Sequence, residues 1–112
     1  MTDYLNNKST IKNWNEDDRP REKLALKGRS SLSDAELLAI IMGSGNREES
    51  AVELAKRILQ SAQNNWNELA KFTIEDLCKF KGVGEAKAIS IITALEIGRR
   101  RNSQEVLERA KI

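Results

Sequence analysis

Leu77-Cys78-Lys79-Phe80-Lys81-Gly82-Val83-Gly84-Glu85-Ala86-Lys87-Ala88-Ile89 is the stretch that decides the fold of this 112-residue chain. A short apolar segment enters the Gly-Val-Gly turn and a longer apolar-periodic segment leaves it, which predicts two helices joined by a tight turn. The two glycines allow a sharp turn and a close approach to a neighbouring backbone. The first amides of the second helix lack intrahelical partners, and that end carries a partial positive charge. The turn is therefore predicted to be able to hold a phosphate.

This stretch resembles a helix-hairpin-helix motif, which binds the DNA backbone without reading its sequence. The resemblance implies that the backbone amides of Val83, Gly84 and Glu85 face one phosphate, while two lysines add positive charge. It also implies that carbonyls of this Gly-Val-Gly hairpin could hold a monovalent cation. A tight turn that only packs the domain is the alternative, and the Glu85 carboxylate, which would repel a phosphate, favours it. The predicted DNA-binding set is Lys81, Gly82, Val83, Gly84, Glu85 and Lys87.

Composition limits the class of protein. A chain of 112 residues with 39% hydrophobic and 32% charged residues suits one small helix-rich domain. The net charge of +2 is too small to demand a polyanionic partner. Its distribution is uneven, because residues 79–101 hold six basic and two acidic side chains, whereas residues 1–36 hold seven of each. Positive charge is thus concentrated around the Gly-Val-Gly turn.

The chain has too few cysteine and histidine residues for several kinds of bond or site. The single cysteine, Cys78, excludes an intrachain disulfide, and we interpret it as a small core residue. With no histidine and one cysteine, a zinc site or a Ser-His triad is excluded within this segment. No apolar run has transmembrane length and the N-terminus lacks a signal-peptide core, so we expect a cytoplasmic protein without a membrane partner.

Helix signals recur along the chain and predict an all-helical domain of five or more short helices with no sheet. Pro20 fits the first turn of a helix that Asp17 or Asp18 could cap and that Gly28 ends. Ser or Thr followed three residues later by an acidic residue marks three further starts, at Ser33, Ser50 and Thr73. The expected helices span residues 34 to about 42, 51 to about 63, 66–70, the segment entering the turn, and 86–101.

An internal repeat relates the two Gly-x-Gly sites. Leu38 and Gly43 match Leu77 and Gly82 at an offset of 39, and beyond the turn the offset becomes 37. We call the loop around Gly43-Ser44-Gly45 the first hairpin and the one around Gly82-Val83-Gly84 the second hairpin. The repeat predicts a pseudo-twofold pair made of one clear and one degenerate helix-hairpin-helix motif. Its facing helices predict a core of Leu37, Leu38, Ile41, Leu54, Ile58, Leu77, Ile89, Ile92 and Leu95.

A series of ordered motifs closely resembles the start of bacterial RadC-like proteins. It opens with Trp14-x-Glu16-Asp17-x-Arg19-Pro20-Arg21-Glu22-Lys23-Leu24 and continues with Leu32-Ser33-Asp34-Ala35-Glu36-Leu37-Leu38-Ala39-Ile40. Ser50-Ala51-Val52-Glu53-Leu54-Ala55, Lys81-Gly82-Val83-Gly84-x-Ala86-Lys87-Ala88 and Ala94-Leu95-Glu96-Ile97-Gly98-Arg99-Arg100 follow in order. The resemblance covers about residues 11–101.

The resemblance implies a domain plan and two alternative functions. RadC-like proteins carry a C-terminal JAB/MPN metalloprotease-like domain with His and Asp metal ligands, so zinc is expected only there, and this chain is expected not to be an enzyme. We expect a mobile segment at 1–13, the helical domain at 14–101 and a linker at 102–112. One function is weak, non-specific DNA-backbone binding in DNA repair. The other is a protein-interaction or regulatory domain that positions the C-terminal domain or another protein.

Overall fold

The computed structural model describes residues 19–111, and every regular element in that range is helical. The predicted all-α fold is confirmed. Asp17 and Asp18, proposed as caps, and the segment 1–13 lie outside the described residues. Helix α1 covers residues 19–27, and a 3-10 turn follows at Arg29–Ser31. The remaining helices are α2 (Asp34–Met42), α3 (Ala51–Ser61), α4 (Trp66–Leu69), α5 (Ile74–Cys78) and α6 (Glu85–Ala110).

A capping box formed by local side chains sets two of the helix starts. Ser33 Oγ accepts the N–H of Glu36 at 3.2 Å, and Glu36 Oε1 accepts the N–H of Ser33 at 3.0 Å. The Ser33 N–H, together with Lys23, holds the pKa of Glu36 below its usual value. Thr73 and Asp76 form the same reciprocal pair at the start of α5. These bonds satisfy backbone donors that a helix leaves unpaired, so these starts follow from short sequence patterns.

The core lies where α2 packs on α3 and α6, and α5 also packs on α6. Its fully buried large side chains include Leu54, Ile58, Leu77 and Ile91. Leu69 of the short helix α4 is also buried, at 1% exposure. Aliphatic side chains thus fill the interior, as expected for a chain with only 4% aromatic residues.

Four of the nine predicted core residues, Leu38, Leu54, Ile58 and Leu77, are buried. Ile92 and Leu95 are partly buried and pack against the core. The prediction was wrong for three residues, because Leu37, Ile41 and Ile89 are 38%, 41% and 45% exposed.

Helix geometry explains these errors. In α2 the inward stripe is Ala35, Leu38, Ala39 and Met42, at the spacing of one helix face, so its other apolar residues must point elsewhere. In α6 the buried residues are Ala88 and Ile91, and Ile89 is rotated by about 100° from Ala88. Cys78 is exposed, so its assignment to the core was also wrong.

Positions paired by the repeat have similar environments. Leu54 and Ile91 are 0% and 1% exposed. Gly43 and Gly82 have φ angles of +85° and +91°, a conformation that glycine adopts without steric cost. These shared properties support the sequence repeat, while the helix-hairpin-helix assignment and the pseudo-twofold arrangement stay predictions.

Helix α6 is longer than the pattern indicated. It was expected to end near Arg101 but continues to Ala110. The added turns contain good helix formers, and Arg101 pairs with Glu105 four residues later at 3.2 Å. Val106 and Leu107 in these turns are 56% and 62% exposed. Residues 102–110 are therefore helical, and the role of 102–112 as a linker stays a prediction. None of the described helices is long and apolar enough to cross a membrane.

Replacing Leu77 by Ala is expected to lower the free energy of unfolding by about 2–5 kcal/mol, because the change leaves a cavity in a fully buried site. The measurement is urea denaturation followed by circular dichroism. Ile97→Ala is the control, since Ile97 is 63% exposed, and it should change stability by less than about 0.5 kcal/mol. Equal midpoints for the two variants would remove Leu77 from the core.

Candidate functional site

The two hairpins contact each other directly. Asn46 Nδ2, in the first hairpin, donates to the carbonyl oxygen of Lys81, in the second, at 2.9 Å. Lys81 Nζ in turn lies 2.7 Å from Glu48 Oε1. Residues more than thirty positions apart in the chain are thereby joined, and the two loops form one surface.

Lys87 reinforces this junction from the first turn of α6. Its Nζ donates to the carbonyl oxygens of Ser44 at 2.8 Å and Gly45 at 3.2 Å, both in the first hairpin. It also donates to the carbonyl oxygen of Gly82 in the second hairpin, at 3.0 Å. The ammonium predicted to add charge for a phosphate is therefore bound between the two loops.

A polar network stiffens the first hairpin. Asn46 Oδ1 accepts the N–H groups of Glu48 and Glu49, both at 2.8 Å. The Glu49 carboxylate accepts from Arg57 Nε at 2.7 Å and Nη2 at 2.8 Å. The hydrogen bonds from Arg57, and to a smaller extent the one from Asn46, hold the pKa of the Glu49 carboxyl below its usual value. The Arg57 guanidinium also lies 5.6 Å from the ring centre of Phe80, next to the second hairpin.

Sequence reasoning missed Asn46, Glu49 and Arg57 as members of this site. An Asn followed by two acidic residues in a loop is compatible with an Asx turn, and that local signal could have been read. The contacts to Lys81 and Phe80 have no local signal, because their partners are far away in the chain. These residues became visible only when the two hairpins were placed side by side.

The three backbone amides predicted to face a phosphate do not share one environment. The Val83 N–H donates to the carbonyl oxygen of Phe80 at 3.0 Å, and the Val83 side chain is 5% exposed. Its amide is therefore used inside the turn. Gly84 and Glu85 lie at the start of α6, where backbone N–H groups have no intrahelical acceptor. A Cβ added to Gly84 would meet no atom within 4 Å, so this backbone is accessible from outside.

The basic residues counted from the sequence are largely balanced by nearby acids. Lys81 pairs with Glu48. Arg99 and Arg100 both pair with Glu96 at 2.9 Å, and their hydrogen bonds lower the pKa of Glu96 to about 2. The local excess of positive charge is consequently less available than the sequence count suggested.

An apolar groove of about 620 Å³ lies on another face, between α2, α4 and α6. Its lining includes Leu37, Ile41, Trp66, Ile91 and Leu95. Leu37 and Ile41 were predicted to be in the core, and they instead form one wall of this groove. Grooves with apolar walls are typical sites for protein or ligand contacts.

Comparisons with known proteins agree on one family. The family model described as UPF0758 N-terminal matches residues 11–89. A UPF0758 protein of Flavobacterium johnsoniae is 60% identical over 102 residues, which are 91% of this chain and 44% of that protein. A UPF0758 protein of Porphyromonas gingivalis is 47% identical over 104 residues, which are 92% and 46%. The chain thus spans a little under half the length of these curated relatives. No solved structure shows significant similarity to it.

Gly45→Ala tests how tightly the first hairpin is packed. A Cβ at Gly45 would overlap the carbonyl oxygen of Glu49, which is backbone and cannot swing aside. We expect the free energy of unfolding to fall by about 1–3 kcal/mol, as for other overpacked sites. The matched control is Gly98→Ala inside α6, where a Cβ meets nothing within 4 Å and helix stability should rise by about 0.5–1 kcal/mol. Thermal unfolding of both variants is the measurement, and a Gly45→Ala protein as stable as the parent would contradict the packing.

Proposed function

Since this chain belongs to the UPF0758 family of RadC-like proteins and contains its N-terminal domain, we propose that it is a module that binds the DNA backbone without sequence preference. The resemblance to RadC-like proteins in the sequence is thereby confirmed. The observation that carries the proposal is the pair of joined hairpins with the accessible backbone of Gly84 at the start of α6. A role in DNA repair and a cytoplasmic location belong to the same proposal.

In this proposal a phosphate lies against the N-terminus of α6. The N–H groups of Gly84 and Glu85 donate to its oxygens, and the helix dipole adds a favourable field. Val83 holds the turn, because its amide already bonds to Phe80. Glu85 is exposed, so its carboxylate has room to turn away from the phosphate into solvent.

Lys81 supplies a positive charge on an exposed side chain that can move toward a phosphate. Its side chain is 61% exposed and that of its partner Glu48 is 71% exposed. An ion pair so open to water contributes only about 0–1 kcal/mol, so Lys81 can exchange Glu48 for a phosphate at little cost. With few phosphates neutralised, the dissociation constant is about 10⁻⁴–10⁻⁶ M at physiological salt and depends weakly on salt concentration.

Titration of fluorescent duplex and branched DNA at low salt tests this function. Gly84→Val should abolish most binding, because a branched side chain blocks approach to the helix N-terminus. Lys81→Ala and Lys87→Ala should weaken binding for all sequences alike. Gly98→Val is the matched control, since it makes the same Gly-to-Val change inside α6, far from the hairpins. If all three hairpin variants bind like the parent, the hairpins are not the interface, and no binding by the parent would exclude the function.

The apolar groove favours a second candidate function, in which the domain positions another part of the protein. The relatives are more than twice as long as the region they share with this chain. A C-terminal metalloprotease-like domain, as the RadC-like resemblance implies, would supply zinc and any catalysis, and this chain would be a non-enzymatic support. Exposed Leu37 and Ile41 give that domain an apolar surface to cover.

Isotope-labelled chain can be titrated with the part of the Flavobacterium johnsoniae relative that lies outside the match. We expect NMR shifts at Ile41, Trp66 and Leu95, and their loss in Ile41→Glu. Ile97→Glu is the control, because Ile97 is exposed but does not line the groove. Equal effects of the two substitutions, or no shifts in the parent, would contradict groove docking.

A further inference from the structure

Three backbone carbonyl oxygens converge between the two hairpins. They belong to Ser44, Gly45 and Gly82, and Lys87 Nζ lies 2.8, 3.2 and 3.0 Å from them. The loops meet so closely that a Cβ on Gly82 would come within 3.3 Å of the Gly45 oxygen and 2.7 Å of Asn46 Cβ. Carbonyl oxygens brought together in this way repel one another unless a positive charge lies between them.

The helix-hairpin-helix resemblance implies a monovalent cation at the second hairpin, whereas the three oxygens that converge here come from both hairpins and do not fit one. Oxygen ligands of this kind suit a hard cation. Their shared centre, however, already holds the ammonium of Lys87. A dissolved cation at the same place would lie against a like charge and would have to displace that side chain.

We infer that Lys87 is a tethered cation, which takes the place of a dissolved monovalent ion and holds the two hairpins together. The position of Lys87 in the helix supports this assignment independently. It is the third residue of α6, where the positive end of the helix dipole disfavours a lysine. Helix stability does not explain a lysine at this position, whereas three carbonyl acceptors do.

The inference changes what Lys87 does at the proposed DNA site. It is a positioning residue, which keeps the second hairpin in place beside the first, and its charge is directed at the protein's own backbone. The hairpin pair should therefore be assembled whichever monovalent cation is in the solution. This property concerns the free protein and holds whether or not DNA binds.

Thermal unfolding in potassium, ammonium and tetramethylammonium chloride at equal ionic strength tests the inference. The parent should melt at the same temperature in all three salts. Lys87→Ala should melt lower in tetramethylammonium, which is too large for the carbonyl cradle, and should recover by several degrees in potassium or ammonium, which can bind there. Lys81→Ala is the matched control, because it removes an exposed lysine beside the same loop and should show no dependence on the cation.

The same three salts test the inference even if Lys87→Ala does not fold in tetramethylammonium chloride. Folding restored by potassium or ammonium supports the tethered cation, and failure to fold in every salt overturns it. An equal response of Lys87→Ala and Lys81→Ala to the cation also overturns it. A thallium NMR titration gives a second measurement on the parent, in which saturable Tl⁺ binding at the hairpins would show that the cradle accepts a dissolved ion and would overturn the inference.

Discussion

The close approach of two backbone loops is the constraint on which the rest of this structure depends. Where the hairpins meet, carbonyl dipoles point toward a common centre, and that arrangement requires a positive charge. Lys87 supplies the charge, and Gly82 leaves the space between the two loops. Because Lys87 belongs to α6, its contacts also hold the start of that helix against both hairpins, and α6 in turn carries one wall of the core.

This junction also affects how charge can be used for binding. A basic surface usually attracts nucleic acid through lysines and arginines that lack acidic partners. Here Lys81 faces Glu48 and the two arginines Arg99 and Arg100 share Glu96. Binding of DNA would therefore depend on backbone geometry at Gly84 more than on net charge. The apolar groove contains none of the hairpin residues, although Glu96 and Arg99 of this charge balance lie along its lining.

Much of the fold was predictable because its signals are local. The capping pairs at Ser33 and Thr73 involve residues three apart, and the stop at Gly28 is set by one residue, so a short stretch of sequence contains the whole cause. The repeat also predicted which residues share an environment, such as Leu54 and Ile91. The buried face of each helix was harder to predict. Helix α2, for example, is apolar on more than one side, and its neighbours decide which side is covered.

The sequence by itself determined the family, the helical class, the helix starts and the two glycine turns, since each depends on residues close together in the chain. Only the tertiary structure decided what Lys87 does. Its acceptors Ser44 and Gly45 lie more than forty positions away, and backbone carbonyls are present in every residue, so no side-chain pattern marks them. The same holds for Leu37 and Ile41, whose exposure depends on how α4 and α6 are placed around α2.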